Sequence, residues 1–261
     1  MIYILGGNGF VGSAFIRLFE RERIPYQNIT RDKYEKFKGT SCDIFINANG
    51  NSKKFLANQD PKAEFEATVK SVCFSLHDFK YKKYVLCSTC DVYNSFEDDS
   101  LNKEESLINI KKQSRYGFHK YIAENFVQYE APDFLIIRFG GFVGPNLVKN
   151  PIFDILKGGP LWLSPESELQ YLHTDEAAKI VWSLIEKGYK NEIFNVCGTG
   201  LIKLQDIINF VGKPIEIKDN APKVIYNINT EKINKVFDSK ISQSSNTVLK
   251  FIEEKIIEGE I

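Results

Sequence analysis

The chain has 261 residues, 43% of them hydrophobic, with 34 basic and 34 acidic side chains. This length supports one large α/β domain or one domain with a minor lobe. The zero net charge gives no reason to expect nucleic acid or an anionic membrane surface as a partner. The apolar runs are too short to span a membrane, and "MIYIL" begins a strand without a basic leader, so we expect a cytoplasmic protein.

The five cysteines are odd in number and scattered along the chain, which is typical of reduced thiols. Cys87 and Cys90 form a C-x-x-C pair, but they close a strand instead of opening a helix, so we interpret them as structural. The three histidines are dispersed and form no metal-ligand cluster, so we expect no metal site.

Strand and helix patterns alternate from the first residue onward. Short runs rich in Ile, Val, Phe and Tyr predict buried parallel strands, at Ile2–Leu5, Gln27–Thr30, Asp43–Ala48, Tyr84–Cys87, Phe134–Phe139 and Glu192–Val196. The clearest helical pattern runs from Pro61 to Phe79, with Asp60 as its expected cap. This alternation predicts an α/β fold with a doubly wound parallel sheet.

A glycine-rich turn, "ILGGNGFVGSAFIRLF", places Gly6, Gly9 and Gly12 between the first strand and the first helix. Glycine suits this position because the turn is tight, the backbone must approach a pyrophosphate, and the helix packs close to its strand. We therefore predict a Rossmann-like dinucleotide site at these glycines, with Phe10 and Val11 among the cofactor contacts.

The end of the second strand, "NITRDK", is expected to select the dinucleotide. An acidic residue there would bind the adenosine ribose hydroxyls of NAD, but Thr30 stands in that place and Arg31 follows it. A hydroxyl and a guanidinium suit the 2′-phosphate of NADP. We therefore expect NADP as the cofactor, with NAD as the alternative if Asp32 is the ribose ligand, or if Arg31 is only a solvated surface charge.

The predicted domains follow the change in pattern after Gly144. Residues 1–144 and 173–198 are expected to form the dinucleotide-binding domain. Residues 145–172 and 199–261, which contain short strands and amphipathic helices, are expected to form a small substrate lobe over the carboxyl ends of the strands.

Two later segments supply candidate catalytic groups. "YVLCSTCDVY" ends a strand with the hydroxyls of Ser88 and Thr89 near the expected ligand edge. "QSRYGFHKYIAE" places Tyr116 and Lys120 four residues apart, on one face of a predicted helix. By itself a Y-x-x-x-K pair is common on helix surfaces, so the neighbouring motifs decide its meaning.

The segments "GGNGFVG", "STCDVY", "SRYGFHK", "RFGGFVGP", "YLHTDEAA" and "FNVCGTG", taken in order, resemble the extended short-chain dehydrogenase/reductases of the NAD-dependent epimerase/dehydratase family. The resemblance implies that Thr89, Tyr116 and Lys120 are catalytic and that Lys120 also holds the nicotinamide ribose. It also implies that Ala48 and Ser88 lie at the cofactor. Lys120 and the nicotinamide charge would lower the pKa of Tyr116 from near 10 to about 7, which takes roughly 4 kcal/mol.

Several positions depart from the family pattern. The Asp-Glu pair of the dehydratases is replaced by Cys90-Asp91, which weakens a 4,6-dehydratase interpretation. The sugar-nucleotide grips of the family are replaced by Gly141 and Leu169. The interval from Thr30 to Asn47 is also short, and this predicts that one strand and its helix are omitted.

The leading hypothesis is an NADP(H)- or NAD(H)-dependent oxidoreductase that reduces a keto group of a nucleotide-linked sugar or a similar small molecule. Three lysines of the expected lobe could replace the missing grips: Lys149, Lys157 and Lys203. A nucleotide-sugar epimerase with bound NAD and a non-catalytic dinucleotide-binding regulator remain the alternatives. The resemblance also implies a homodimer built from the helices Pro61–Phe79 and Tyr116–Ala131, for which Phe65, Phe74 and Phe118 are the expected apolar contacts.

Overall fold

The structure of the protein, a computed structural model, describes residues 1–51 and 54–259. Residues 52, 53, 260 and 261, which fall within the two predicted domains, lie outside the described residues. The described part contains these strands: β1 (Ile2–Leu5), β2 (Tyr26–Ile29), β3 (Ser41–Asn47), β4 (Lys80–Thr89), β5 (Phe134–Phe139), β6 (Gly141–Val143), β7 (Glu168–Leu169), β8 (Tyr171–His173), β9 (Glu192–Val196), β10 (Ile202–Lys203) and β11 (Ile225–Tyr226).

The helices lie mostly between these strands. They are α1 (Gly12–Arg21), α2 (Tyr34–Phe37), α3 (Leu56–Gln59), α4 (Pro61–Phe65), α5 (Ser71–Asp78), α6 (Arg115–Glu130), α7 (Pro151–Leu156), α8 (Thr174–Glu186), α9 (Leu204–Val211), α10 (Glu231–Val236) and α11 (Ser244–Ile257). Among the residues that the structure describes, no helix is both long and apolar enough to cross a bilayer.

The central sheet has six parallel strands in the order β2-β1-β3-β4-β5-β9. All six predicted strands are present, and three of them, β1, β5 and β9, have the predicted bounds. Helices α1 and α8 pack on one face of the sheet, and α5 and α6 pack on the other. The predicted doubly wound α/β fold is therefore confirmed. The order reverses between β1 and β3, and in such sheets the ligand binds at that point, outside the carboxyl ends of the strands.

The sheet is one strand shorter than the family pattern predicts. Strand β2 is the edge of the sheet, and the connection from β2 to β3 contains only the four-residue helix α2. All residues of that connection are described. The predicted omission of a strand and its helix is confirmed.

The helical segment expected from Pro61 to Phe79 is interrupted. Asp60 caps its start as predicted, since its side chain accepts a hydrogen bond of 3.0 Å from the amide of Ala63. Five residues, Glu66–Lys70, then form a π-helical segment between α4 and α5. Apolar periodicity does not predict this change, because Phe65 fits the apolar spacing but is 43% exposed, whereas the polar Glu64 and Thr68 are buried.

The short strands outside the central sheet form two small sheets. Strand β6 pairs with β8, and β7 lies between β10 and β11. A separate apolar cluster joins β6, β7, β8 and β10 to α7, α9 and α11. The predicted division at residues 144, 172 and 198 stays a prediction.

A buried ion pair lies beneath the carboxyl edge of the sheet. Arg138, next to the carboxyl end of β5, donates hydrogen bonds to Glu124 of α6, and the shortest, from Nη2 to Oε2, is 2.8 Å long. The two side chains are 2% and 0% exposed. Ser88 also donates to Glu124, and Arg138 donates to the hydroxyl of Tyr93. The pair therefore fixes α6 to β4 and β5.

We expect Glu124→Ala to lower the free energy of unfolding by about 3–5 kcal/mol, because it leaves the Arg138 guanidinium buried without its partner. Urea denaturation followed by circular dichroism measures the loss. The matched control is Glu66→Ala, which removes an exposed pair with Lys70 and should change stability by less than about 0.5 kcal/mol. Equal losses in the two variants would contradict the prediction.

Candidate active site

The glycine turn is as tight as predicted. Gly6 has a φ of +83°, and a Cβ atom on it would lie 2.8 Å from the carbonyl carbon of Ala48. A Cβ on Gly12 would lie only 2.1 Å from the Gly6 oxygen. Side chains at these positions would collide with backbone, so the turn needs glycine. Helix α1 begins at Gly12 with Val11 as its N-cap residue, so the helix N-terminus, which favours an anion, directly follows the glycine turn.

Phe10 and Ala48 lie at either side of this turn. The ring of Phe10 packs edge-on against Phe142, with centroids 6.4 Å apart. Ala48 follows β3, and its amide donates to the Leu5 oxygen at 2.9 Å. Their predicted cofactor contacts stay predictions.

The end of β2 carries two polar atoms that are buried but have no hydrogen-bond partner in the described part of the chain. They are Oδ1 of Asn28 and Oγ1 of Thr30. The Thr30 hydroxyl is also the largest influence that lowers the pKa of the exposed Asp32, although it forms no hydrogen bond of normal geometry. Arg31 is exposed. Unsatisfied buried acceptors beside a glycine turn fit the adenosine end of a dinucleotide.

Thr89 and Ser88 end β4 with their hydroxyls in different environments. Oγ1 of Thr89 donates to Oδ2 of Asp91 at 3.0 Å, and the side chain caps a short helical turn at residues 90–92. The Ser88 hydroxyl instead donates to the buried Glu124 at 2.5 Å. Successive strand residues point to opposite faces, which explains the difference. The Ser88 cofactor contact stays a prediction, and its hydroxyl is already used.

Helix α6 carries Tyr116 and Lys120 on its buried face, each 8% exposed. Ser114 caps the helix by accepting a hydrogen bond of 3.0 Å from the Gly117 amide. A Cβ on Gly117 would lie 2.1 Å from the Asp91 oxygen, so α6 touches the turn that follows Thr89. This close contact brings Tyr116 and Thr89 into one site.

The ammonium of Lys120 extends toward the end of β3. Its Nζ lies 6.0 Å from the Tyr116 ring centroid and 3.0 Å from the position that a Cβ would take on Gly50. Gly50 follows Ala48 and Asn49, against which Gly6 packs. Lys120 therefore lies between Tyr116 and the glycine turn, where the predicted nicotinamide ribose would be.

The electrostatic environment differs from the prediction for Tyr116. Burial raises the pKa of Tyr116, and the carboxylates of Asp91 and Glu64 raise it further. Burial also lowers the pKa of Lys120. The expected lowering of the tyrosine pKa by Lys120 is therefore not produced by the protein groups, because desolvation disfavours the phenolate.

Two further residues at the site have no sequence signal. Lys54 Nζ lies 2.7 Å from Oδ1 of Asp91, and the Tyr226 hydroxyl donates to the same oxygen at 3.4 Å. Lys54 also lies 5.5 Å from the centroid of the Tyr226 ring. Tyr226 belongs to β11, far along the chain, and no local pattern links it to Asp91. Only the tertiary structure brings these groups together.

Cys90 points into the protein core. Its Sγ lies 3.2 Å from the Arg138 oxygen and 3.7 Å from Sγ of Cys197, and burial raises its pKa well above the usual range. All five cysteines are free thiols. Cys87 and Cys90 therefore do not form a disulfide, and Cys90 is a poor acid.

The positions of the missing sugar-nucleotide grips have little space for a substitute. A Cβ on Gly141 would lie 2.6 Å from the Gln170 oxygen. Lys203 pairs with Glu166 at 2.6 Å, and Lys157 lies 5.9 Å from the Phe153 ring centroid. Leu169 is half-buried in β7, and Lys149 is partly buried. A role for the three lysines in substrate binding stays a prediction.

Comparison with known proteins identifies the family of this chain. Residues 2–197 match the NAD dependent epimerase/dehydratase family. No curated protein matches the chain.

Among solved structures, the chain is similar to UDP-glucose 4-epimerase from Thermotoga maritima with UDP-glucose, with 13% identity, coverage of 100% and 99% of the two chains, and a TM-score of 0.77. It is similar to dTDP-glucose 4,6-dehydratase from Bacillus anthracis in complex with NAD, with 18% identity, coverage of 97% and 96%, and a TM-score of 0.70. It is also similar to RMD from Pseudomonas aeruginosa complexed with NADPH, with 16% identity, coverage of 97% and 100%, and a TM-score of 0.77.

These structural likenesses show a common fold, and the family match covers three quarters of the sequence in one block. The glycine turn, the Thr89 turn and the Tyr116–Lys120 face all lie within that block. The chain therefore belongs to the NAD dependent epimerase/dehydratase family and is an enzyme of the short-chain dehydrogenase/reductase type.

Proposed function

We propose that the protein is an NADPH-dependent reductase of a keto group on a small molecule, with a nucleotide-linked keto sugar as the first candidate substrate. The observation that carries the proposal is the convergence of Thr89, Tyr116 and Lys120 beside the glycine turn. The epimerase with UDP-glucose among the solved structures supports the substrate class.

Each group has a distinct role in the proposed reaction. The cofactor supplies a hydride when bound. Tyr116 donates a proton to the substrate oxygen, and its raised pKa keeps it protonated and ready to donate at neutral pH. Lys120 holds the nicotinamide ribose, and Thr89 orients the ketone oxygen by turning its hydroxyl proton from Asp91 to that oxygen. The buried position of all three side chains excludes water from the reacting atoms.

A nucleotide-sugar epimerase is the second candidate, and the hydrogen bond of Thr89 favours it. The hydroxyl of Thr89 uses its single proton in the bond to Asp91, so it has only acceptor capacity left for a ligand. An acceptor matches a substrate alcohol, which an epimerase oxidises in its first step. Net consumption of cofactor separates the two reactions, because an epimerase returns the hydride to its product.

Dehydration fits this site less well. It needs a further acid and base next to Thr89, but Cys90 is buried against Cys197. Asp91 is already held by Thr89, Lys54 and Tyr226. We therefore propose no 4,6-dehydration of an unmodified nucleotide hexose.

We expect the wild-type enzyme to consume NADPH with a nucleotide-linked 4-keto sugar or a comparable small ketone, and Tyr116→Phe to lower kcat at least about a hundredfold. The loss follows from removal of the proton donor, and cofactor affinity should stay close to that of the wild type. Absorbance at 340 nm measures turnover, and fluorescence titration measures binding. Wild-type turnover in the variant would disprove the role of Tyr116. A 4-keto-6-deoxy product formed from an unmodified nucleotide hexose would show that the reaction type is wrong.

The NADP preference rests on Thr30 and the exposed Arg31. We expect NADPH to bind more tightly than NADH, and Arg31→Ala to remove about tenfold of that difference, because the 2′-phosphate loses a charge-assisted hydrogen bond. Lys33→Ala, which removes an exposed cation two residues away, is the matched control and should change the ratio little. Tighter NADH binding by the wild type would instead assign the ribose to Asp32.

A homodimer is proposed from an apolar groove on α6. The groove has a volume of about 390 Å³, and Phe118, Ile122, Phe126 and Tyr129 line it together with Ile110. A second copy could cover this face by pairing the helices across a two-fold axis.

Of the other predicted contacts, Phe74 is 52% exposed and Phe65 is 43% exposed. Phe65 borders a different groove, next to α4, which this dimer does not require.

We expect light scattering at micromolar concentration to give twice the 29.9 kDa mass of the chain, and Ile122→Glu to give a monomer. A charge in the apolar contact should prevent pairing because it would be desolvated there. Phe210→Glu, at a 41% exposed position on α9, should leave the mass unchanged. A monomeric wild type would rule out the dimer.

The cytoplasm is the proposed location. The support is that all five cysteines are free thiols, which is usual for proteins of a reducing compartment.

A further inference from the structure

The carboxylate of Asp91 connects Thr89 to a lysine that the proposed reaction does not use. Its Oδ2 accepts the hydrogen bond of 3.0 Å from the Thr89 hydroxyl, and its Oδ1 lies 2.7 Å from Nζ of Lys54. The charge of Asp91 also raises the pKa of Tyr116, which places this carboxylate within electrostatic reach of the proposed proton donor. One carboxylate thus separates the Lys54 ammonium from the hydroxyl that is proposed to hold the ketone.

The Lys54 ammonium is held in place but is accessible to a ligand. The Lys54 side chain is 61% exposed, whereas that of Asp91 is 11% exposed. The ammonium also lies 5.5 Å from the centroid of the Tyr226 ring. An ammonium has three N–H donors, and among the described residues Asp91 is the hydrogen-bond acceptor that it reaches. Two donors therefore remain for a ligand on the solvent side.

A second cation reaches the segment that carries Lys54. Arg115, the residue before Tyr116, is exposed, and its Nη1 donates a hydrogen bond of 3.3 Å to the oxygen of Ala57. Ala57 follows Lys54 by three residues. Two cations thus lie along one border of the site.

The acidic groups near this border are compensated or out of reach. Asp91 and Glu64 are the carboxylates whose charges raise the pKa of Tyr116. The Glu64 side chain is 0% exposed and is bonded to His119, so Asp91 is the one that a ligand would meet. Lys54 neutralises Asp91. Because the charge of Arg115 is added to this neutral pair, the border favours an anionic ligand.

The same geometry limits the kind of anion and its place in the ligand. The Asp91 carboxylate, 2.7 Å from the ammonium, repels a second anion on Lys54, and the repulsion is smaller for the single charge of a carboxylate than for the nearly double charge of a phosphate monoester. Only the Asp91 carboxylate lies between Thr89 and Lys54. A ketone on the first and an acid group on the second would therefore be only a few bonds apart in one molecule.

We propose that Lys54 binds a carboxylate that the substrate carries within a few bonds of its reacting ketone, an inference that rests on the proposed reductase function and narrows its substrate to keto acids. Among nucleotide-linked sugars, a keto sugar acid is thus favoured over a neutral keto sugar. Lys54 keeps its bond to Asp91 and donates a second bond to the substrate, while Thr89 and Tyr116 act on the ketone oxygen. Lys54 determines specificity and takes no part in the transfer of hydride or proton.

The test measures binding to the enzyme saturated with its oxidised cofactor, so that ketones bind without being reduced. Two pairs of probes differ by a carboxylate: 4-oxopentanoate against 4-oxopentanamide, and UDP-glucuronic acid against UDP-glucose. We expect the acid of at least one pair to bind at least about tenfold more tightly than its neutral partner in isothermal titration calorimetry, because it gains a charge-assisted hydrogen bond. If neither acid has this advantage, or if no probe binds, the proposal is overturned.

A phosphate ligand is tested with dihydroxyacetone phosphate against dihydroxyacetone. An advantage of about tenfold for this phosphate, with none in the two acid pairs, would assign the site to a phosphate and overturn the carboxylate.

Variants of Lys54 show whether it makes the contact. Lys54→Met should remove the advantage of the acid, whereas Lys54→Arg should keep most of it because a guanidinium also pairs with a carboxylate. The matched control is Lys70→Met, which removes another exposed lysine–carboxylate pair, with Glu66 at 3.4 Å, and should leave the advantage unchanged. A Lys54→Met variant with the wild-type advantage would overturn the proposal.

Loss of Lys54 also leaves Asp91 without its cation, and the bare carboxylate would itself repel an acid. The double variant Lys54→Met/Asp91→Asn separates the two effects. If Lys54 contacts the substrate, the advantage of the acid stays lost in the double variant and is kept in Asp91→Asn alone. A double variant that regains the wild-type advantage would show that Lys54 only screens Asp91, and this would overturn the proposal.

Failure of this inference and failure of the reductase proposal are distinguishable, because the binding measurements need no turnover. An acid that binds through Lys54 to an enzyme that consumes no NADPH would support the carboxylate site and remove the reductase proposal. An enzyme that consumes NADPH with equal kcat/KM for 4-oxopentanoate and 4-oxopentanamide, and that binds both equally, would retain the reductase proposal and overturn the role of Lys54.

Discussion

The buried pair of Glu124 and Arg138 is the interaction on which the rest of the site depends. It joins the helix that carries Tyr116 and Lys120 to the two central strands, and it takes the Ser88 hydroxyl as a third partner. Tyr93 continues the network from Arg138 to Asn195 on β9. Three strands and one helix are thus tied together beneath the candidate active site. Such a network is stabilising only when every member is satisfied, so it also specifies one arrangement of α6 over the sheet.

Above this network the site is assembled by close approach of backbones. The absence of a side chain lets Gly12 approach Gly6, Gly6 approach Ala48, and Gly117 approach Asp91. Each contact brings one catalytic or binding element within reach of the next. Glycine thus determines the distances in the site, while the larger side chains determine its chemistry. The motif glycines therefore indicate the geometry of the site as clearly as Tyr116 indicates its proposed chemistry.

The parts that were predictable from sequence are those that depend on local patterns. Alternating apolar runs located the six central strands, and the four-residue spacing placed Tyr116 and Lys120 on one buried face. The π-helical segment at 66–70 was not predictable, since the residues buried there include the polar Glu64 and Thr68, while the apolar Phe65 is exposed. Lys54 and Tyr226 were also missed, because their partner Asp91 is distant from both in sequence. The direction of the Tyr116 pKa shift was predicted wrongly for the protein groups, since motif spacing carries no information about desolvation.

Strand β2, at the outer edge of the sheet, has a consequence for how this enzyme can change. The strand has only four residues, Tyr-Gln-Asn-Ile, and the central two are polar. Its open edge is therefore a poor template for pairing with another chain. Among the residues that the structure describes, no strand pairs with its outer edge, and residues 30–32, which follow β2, pair with no strand of the sheet. Substitutions at residues 30–32, at the proposed adenosine end of the dinucleotide site, would therefore leave the core intact, whereas Ile29 is itself part of the core. Under the proposed cofactor assignment, the preference for NADP or NAD can therefore change in evolution while the fold is retained.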